Sequence, residues 1–251
     1  MSSLPFPVGT DTRQNPLLAR AGGNLLLISG IASPGSGLGV GRNNVGDLVQ
    51  VFFDRDYGKK CPNKRLIKDN PRLYVQMTEP SALAACQSDR RYSIMNEGGE
   101  HYVLGNGGQV DDVVRLLQNG NWRVDEVLDG YACKADRPRI TAVCSLLEKN
   151  RFLLSLIEAP RAGNTQPTTH FWKYEDVDPG LGYLLHTHQG VDGLPTSPNE
   201  ADYLPLLGDA SKIAETYWDT LGKTAPWVFV VVKSTNMETG ESTMRIHCNY
   251  S

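Results

Sequence analysis

Two histidines, His186 and His188, alternate along a segment whose pattern, Tyr183–His188, predicts a β-strand. Alternate residues of a strand point to the same face, so both imidazoles could bind one metal ion. Asp192 is a nearby carboxylate, but no third or fourth ligand follows at a recognisable spacing. The pair is compatible with a metal-dependent hydrolase, with a hydrogen bond to a substrate, and with ordinary packing.

Basic residues are densest in one short stretch, which contains Arg55, Lys59, Lys60, Lys64 and Arg65. Such a stretch can be a solvated loop or a grip on phosphate, because guanidinium groups match phosphate oxygens in two-point contacts. The whole chain has a formal net charge of −3. A local positive cluster in an acidic protein favours a small phosphorylated ligand over a polynucleotide.

Two glycine-containing segments could also approach a ligand closely. Residues 35–41 alternate glycine with other residues, but Val40 and Arg42 occupy positions where a dinucleotide-binding loop needs glycine, so we predict a turn between strands. Residues 106–111 lie between a predicted strand and a predicted helix, where backbone amides can bind an anion. Arg139 begins a predicted strand beside a loop, where its side chain could contact a ligand. A surface ion pair is an equal alternative.

The cysteines do not form a recognisable site. There are five, with no C-x-x-C pair, so a disulfide framework or a cysteine-rich zinc site is not expected. Cys86 or Cys144 could meet a histidine in space, but neither belongs to a known nucleophile motif. A free cysteine is most often simply buried.

Many strands and few helices position these residues. Residues 1–23 are predicted to be an irregular lead-in and Asn24–Ile31 a buried strand. Three helices are predicted, at about 78–85, 109–119 and 210–221, the last two with an apolar stripe at helical spacing. The predicted strands otherwise cover 47–54, 73–77, 92–95, 101–104, 139–147, 151–158, 169–174, 183–188 and 227–233, and the tail could add one at 244–248. Hairpins rather than strand–helix alternation indicate an α+β fold with stacked antiparallel sheets.

Length and composition fit one globular domain of 24–233 with a C-terminal extension, 234–251. The chain has 251 residues, of which 40% are hydrophobic and 21% charged, which excludes a disordered chain. Its longest apolar runs, Leu25–Ile28 and Trp227–Val232, are too short to cross a bilayer. Without a secretory signal pattern near Met1, a cytoplasmic location is expected.

Taken in chain order, several fragments resemble the archaeal-type IMP cyclohydrolase family. Each fragment is short, but the shared order extends from about residue 33 to residue 233. The matching fragments are 33–41, 55–65, 78–80, Tyr92 with Asn106-Gly107 fourteen residues later, Gln109 and Asp111, 138–140, 174–175, 186–187 and 192–195.

This resemblance implies a four-layer αββα sandwich similar to the N-terminal-nucleophile (Ntn) hydrolases, without processing of an N-terminal nucleophile. It implies an enzyme of purine biosynthesis that closes formylaminoimidazole carboxamide ribonucleotide to IMP with loss of water, using no cofactor and no metal. Arg55 and Tyr92 match the family's catalytic charge stabiliser and acid. The positions that match substrate contacts are Asn63, Arg65, Asn106, Gly107, Gln109, Asp111, Arg139, Glu175, His186 and Thr187.

Two acidic family positions are changed in this chain. Ungapped counting places Tyr131 where the family carries a catalytic Glu, seven residues before Pro138, and Gly108 replaces an Asp. A non-catalytic purine-nucleotide-binding protein on the same scaffold is therefore one alternative, and a metal-dependent hydrolase using His186 and His188 is another. The expected partner is a small purine nucleotide, not a nucleic acid or a membrane, and a homo-oligomer stays open.

Overall fold

The fold is α+β, as the strand-rich pattern predicts. A computed structural model describes residues 15–31, 35–55, 64–77, 91–129, 131, 138–146, 151–160, 166–175, 177–187, 201–222 and 228–249. Within these ranges the chain forms thirteen strands, arranged in two antiparallel sheets, and four helices.

Sheet A contains six strands in the order β11-β10-β1-β2-β12-β13. It joins early and late parts of the chain, because β1 and β2 form a hairpin and the remaining four strands come from the last third. The strands are β1 (Gly35–Arg42), β2 (Leu48–Arg55), β10 (Leu181–His186), β11 (Asp202–Pro205), β12 (Val228–Thr235) and β13 (Ser242–Cys248).

Sheet B contains seven strands, each hydrogen-bonded to the next along the chain, in the order β3 to β9. Its central hairpin, between β5 and β6, turns at Gly99, which has a φ of +61°. The strands are β3 (Lys64–Asp69), β4 (Arg72–Met77), β5 (Arg91–Gly98), β6 (His101–Gly105), β7 (Arg139–Ser145), β8 (Phe152–Glu158) and β9 (Thr168–Tyr174).

The two sheets pack face to face over the largest apolar cluster. Leu38 and Phe52 from sheet A and Leu104 and Ile140 from sheet B are all fully buried members of it. Because strand residues alternate between faces, this cluster identifies the inward-facing residues of each strand. We use "inward" below for the faces that meet in this space.

Helices lie on the opposite face of each sheet. Helices α1 (Pro16–Gly30) and α4 (Ala210–Leu221) share a buried cluster with outward-facing residues of sheet A, such as Val51. Helices α2 (Gln109–Gln118) and α3 (Val124–Asp129) share another with outward-facing residues of sheet B, such as Val103. Burial of these faces supplies the main stabilising term for both outer layers.

Helix α1 corrects two predictions, because residues 16–23 are helical rather than irregular and Asn24–Ile31 is not a strand. Asn15 caps the helix, its Oδ1 accepting hydrogen bonds from the backbone amides of Leu17 and Leu18 at 3.0 and 3.2 Å. Pro16 then occupies the first helical position, which suits its fixed φ. The helix buries Ala21, Leu25 and Ile28 at helical spacing.

The glycine-rich segment is also different from the prediction, since residues 35–42 form strand β1 rather than a turn. Glycines at 37, 39 and 41 share the outward face, where a Cβ would overlap the Phe53 ring, the Leu204 side chain and the Leu181 carbonyl, respectively. The alternating glycines therefore allow neighbouring groups to approach the centre of sheet A closely.

Other predictions are confirmed. Helix α2 buries Val110, Val113, Val114 and Leu117, and helix α4 is capped by Asp209, whose Oδ1 accepts from the Lys212 amide at 2.8 Å. The tail adds strand β13, whereas strands β3 and β11 were not predicted. The predicted helix at 78–85 lies outside the described residues.

None of the helices in the described part of the chain combines the length and the apolar character needed to cross a membrane.

Candidate functional site

The two ends of the space between the sheets differ in their polar side chains. Lys233 lies near the end of β12 and binds Glu97, which lies near the end of β5. The ends of these two strands therefore meet at the same end of the space between the sheets. The opposite end is formed by the start of β1, the end of β2 and the end of β10 from sheet A. Sheet B contributes the start of β5, the end of β6, the start of β7 and the end of β8. We call the end that contains the Lys233–Glu97 ion pair the Lys233 end, and the opposite end the Arg55 end.

A hydrogen-bonded row of inward residues crosses sheet A at the Arg55 end. The Ser36 hydroxyl donates to Asp54 Oδ1 at 3.2 Å, and the Ser36 amide donates to Thr187 Oγ1 at 3.0 Å. Thr187 in turn donates its amide to the Ser36 carbonyl at 2.8 Å. Gly35 makes this approach feasible, because its φ is +66° and a Cβ there would overlap Thr187 Oγ1. Asp54 is only 5% exposed.

Sheet B places a second buried carboxylate at the same end. Glu158 is 4% exposed, and its Oε2 lies 3.1 Å from Nε2 of His170. The imidazole stacks on Trp172, with ring centroids 5.8 Å apart. This pair lies toward the β8–β9 edge of the sheet, because β9 is the last strand of its order.

The two predicted catalytic positions come from different sheets and lie at the Arg55 end. Arg55 is the last residue of β2, where it pairs with Gly35 of β1. Tyr92 lies near the start of β5, and its half-buried side chain packs against the apolar cluster between the sheets. Thr187, predicted as a substrate contact, belongs to the row described above.

Four further predicted positions form a separate group on the α2 side of sheet B. Arg139 Nη1 donates to Gln109 Oε1 at 3.2 Å, and the guanidinium lies 5.9 Å from the centre of the Tyr131 ring. Asn106 donates to the Pro138 carbonyl at 2.9 Å and accepts from the Ile140 amide at 2.9 Å. Gly107 leaves room for the guanidinium of Arg139. These residues fasten the β6–α2 junction to β7, and Gln109 is fully buried.

Asp111, another predicted substrate contact, joins helix α2 to sheet B. Its carboxylate accepts from Ser93 Oγ and Asn96 Nδ2, each at 2.7 Å, and lies 3.6 Å from Arg72 Nε. Ser93 and Asn96 are 4% and 3% exposed. The contacts explain Asp111 as a structural anchor.

Asp111→Ala is expected to lower the free energy of unfolding by about 2 kcal/mol, because two buried donors lose their acceptor. Urea denaturation followed by circular dichroism measures the change. Asp125→Ala, which removes an exposed aspartate from the first turn of α3, is the matched control and should cost less than about 0.5 kcal/mol. Equal effects of the two substitutions would contradict the anchoring role.

The remaining predicted site residues lie apart from the row formed by Thr187, Ser36 and Asp54. Arg65 is exposed, and its neighbour Leu66 packs inward, so Arg65 belongs to the outward face of sheet B. His186 is likewise one residue from inward Leu185. Glu175 lies beyond β9 at the Lys233 end and pairs with Arg151 Nε at 3.0 Å. Asn63 lies outside the described residues.

Metal ligands do not gather in the described part of the chain, where no group of three or more His, Cys, Asp or Glu side chains could hold an ion. His186 is described, but His188 and Asp192 lie outside the described ranges.

At the Lys233 end, an ion pair lies among inward aromatic and thiol groups. Lys233 Nζ binds Glu97 and lies 4.5 Å from the centre of the Tyr102 ring. Burial raises the pKa of the Cys144 thiol to about 12, although the Lys233 ammonium acts in the opposite direction. Burial, followed by the Glu97 charge, also raises the pKa of Tyr102. The Cys144 thiol and the Tyr102 phenol therefore stay protonated at neutral pH, and a protonated thiol is a poor nucleophile.

Four polar residues at the Arg55 end, Ser36, Asp54, Glu158 and His170, were not predicted as site residues. A signal for the first two was present in the sequence, because each lies two residues from an inward apolar residue of the same strand, Leu38 or Phe52.

The chain matches no model of a known protein family, and no curated protein is significantly similar to it.

Proposed function

We propose that this protein is an IMP cyclohydrolase-like enzyme that closes formylaminoimidazole carboxamide ribonucleotide to IMP at the Arg55 end of the space between the sheets. The observation that carries the proposal is the placement of Arg55 and Tyr92. They belong to different sheets, yet both lie at this end. Helices on the outer faces of two packed sheets support the four-layer, Ntn-hydrolase-like arrangement that the resemblance implies.

The reaction needs positioning and proton transfer. The carboxamide nitrogen is a weak nucleophile, so it must be held against the formyl carbon. The formyl oxygen gains negative charge as the new bond forms and needs a hydrogen-bond donor or a cation. In this proposal the Tyr92 hydroxyl is the donor, and the row formed by Thr187, Ser36 and Asp54 contributes a polar wall from sheet A at the same end. Arg139 supports the site indirectly by fixing the β6–α2 junction.

A second candidate, a purine-nucleotide-binding protein without turnover, is favoured by Tyr131. The hydroxyl of Tyr131 donates to Asp112 on the α2 side, so no carboxylate occupies the position that matches the family's Glu. A metal-dependent hydrolase at His186 and His188 has no comparable support among the described residues.

The test is turnover of the formylated nucleotide by the purified protein, with IMP measured by chromatography in the presence and absence of a chelator. We expect IMP in both conditions. Tyr92→Phe should lower kcat by about 100-fold, the usual contribution of a positioned acid. Tyr203→Phe, which removes a hydroxyl from a half-buried tyrosine of β11, is the matched control and should retain activity.

Three results would redirect the proposal. Binding of IMP without any turnover would support the second candidate. Turnover that is lost with the chelator and restored by a divalent metal would support the metal-dependent hydrolase. Absence of both binding and turnover would reject all purine-nucleotide functions.

A further inference from the structure

We propose that this protein forms a two-fold symmetric dimer in which strand β13 pairs antiparallel with β13 of a second copy. The two copies of sheet A then form one continuous sheet. The proposal concerns the open edge of sheet A, and it does not depend on the proposed function.

Strand β13 forms an edge of sheet A, where β12 is its one partner among the described strands. None of its seven side chains is buried, and Ile246 is 39% exposed. Its pairing with β12 is regular from Phe229 opposite Cys248 to Thr235 opposite Ser242. A regular edge strand without proline presents a row of backbone donors and acceptors to another strand.

The hydrogen bonds of the β12–β13 hairpin show which residues direct their backbone groups to the open edge. The Asn236 amide donates to the Glu241 carbonyl at 2.9 Å. Because bonded and non-bonded pairs alternate along an antiparallel ladder, the next pair, Thr235 with Ser242, is non-bonded. The side-chain oxygens of that pair lie 2.9 Å apart, which fits the closer approach of non-bonded pairs. The residues that present their amides and carbonyls to the edge are therefore Ser242, Met244, Ile246 and Cys248.

The other three sheet edges differ from β13. Strand β3 carries a charge at four of its six positions. Strand β11 has only four residues, ends at Pro205 and lies against helix α1. In β9 all side chains but one are half-buried. Charge, short length, proline and cover are the features that protect sheet edges from pairing with another strand. Among the described edges, β13 is the one best suited to pairing.

Arg245 is the one formally charged residue of β13, and it is held by its own chain. Its Nε donates to Ser211 Oγ of helix α4 at 2.8 Å, and its Nη1 donates to the Met244 carbonyl at 3.1 Å. A carbonyl oxygen has two lone pairs, so that of Met244 can also accept from an amide of another strand. The Arg245 side chain therefore leaves the edge open.

The backbone groups at the edge fit a second copy with Met244 on the two-fold axis. Met244 then pairs with Met244 of the second copy, and Ser242 pairs with Ile246 in both directions. These bonded pairs exchange about six backbone hydrogen bonds. The same register covers the exposed side chain of Ile246 with the partner strand.

The side chains on the α4 face favour the same register. It places Glu241 opposite His247, and Thr243 opposite Arg245, so that Glu241 is diagonal to Arg245 of the second copy. An axis at Arg245 instead would place two arginines directly opposite each other, which is unfavourable. The edge thus carries both halves of its own charge pairing, and this complementarity identifies a second copy as the partner.

Sedimentation of the purified full chain over a wide range of concentrations tests the dimer. We expect the wild type to change from monomer to dimer as the concentration rises. Ile246→Lys should raise the dissociation constant at least about ten-fold, because it places a charge at the paired edge. Gln118→Lys adds the same charge at an exposed position of helix α2 and should leave the dimer unchanged. Thermal unfolding checks that both variants fold.

Cross-linking tests the register with substitutions that do not add charge. In a Cys248→Ser background, Met244→Cys should form a covalent dimer on oxidation, because a bonded pair has its Cα atoms about 5.5 Å apart. Ser242→Cys is the matched control. Its two copies lie about 13 Å apart in this register, too far for a disulfide. The background protein, oxidised in parallel, reports any cross-link through the remaining cysteines.

Three results would overturn the proposal. The first is a wild-type protein that stays monomeric at every concentration, which would leave the edge to a strand of another protein. The second is a dimer that Ile246→Lys does not weaken, since the copies would then meet through a different surface. The third is a cross-link in Ser242→Cys but not in Met244→Cys, which would exclude an axis at Met244.

Discussion

Glu97→Gln is expected to lower the free energy of unfolding by about 3 kcal/mol, because it leaves the buried Lys233 ammonium without its carboxylate. The Lys233 side chain is 6% exposed, whereas that of Glu97 is 31% exposed. Tyr102 contributes a ring face to the ammonium, which compensates only part of the lost ion pair. Urea denaturation at neutral pH measures the difference.

Replacing Lys233 instead of Glu97 should lower the free energy of unfolding by less. Lys233→Met leaves Glu97, which water can reach, and places an apolar side chain among buried neighbours, so we expect a loss of about 1 kcal/mol. The double variant should be more stable than Glu97→Gln alone, since no unpaired buried charge remains. Equal losses in the two single variants would show that the cost does not come from a buried cation.

Gly41→Ala is expected to destabilise the protein by about 3 kcal/mol, at the upper end of the usual cost of overpacking. A Cβ at position 41 would overlap the Leu181 carbonyl and the Gly182 Cα, which are backbone atoms of the neighbouring strand. Rotation of a side chain cannot relieve this overlap, so strands β1 and β10 would have to separate. The thermal unfolding midpoint should fall together with the free energy of unfolding.

Gly23→Ala is the matched control for the glycine prediction. Gly23 lies inside helix α1, and apart from its chain neighbours and the backbone of the helix itself no atom lies within 4 Å of a Cβ built there. The substitution should stabilise the helix by up to about 1 kcal/mol, because alanine has the higher helix propensity. Stabilisation by both substitutions would contradict the close approach of β1 to β10.

Most strands could be predicted because their apolar residues alternate or form short buried runs. Helix α1 shows where this reasoning fails, since the run Leu25–Ile28 is continuous and suits either a buried strand or a helix. The deciding residues lie outside the run: Asn15 and Pro16 provide a helix start, and Ala21 extends the buried spacing toward the N-terminus. Strand β3 was missed because charged residues occupy four of its six positions.

The candidate site was less predictable than the fold. Matching short fragments identifies strand ends, but it does not tell which face a side chain occupies. Arg65 and Arg139 illustrate this limit, because their neighbours Leu66 and Ile140 pack inward and direct both arginines to the other face. Asp54 was not singled out, although the predicted strand 47–54 includes it, because the sequence alone does not show which face of that strand meets the other sheet.

The different strand orders of the two sheets affect the order in which the chain can fold during synthesis. Every strand of sheet B pairs with its successor, so this sheet can grow one hairpin at a time as the chain lengthens. Sheet A places β12 between β2 and β13, and β2 has only its β1 partner until the last strands are made. We therefore expect the apolar face of sheet B to need protection from aggregation on the ribosome until sheet A closes over it.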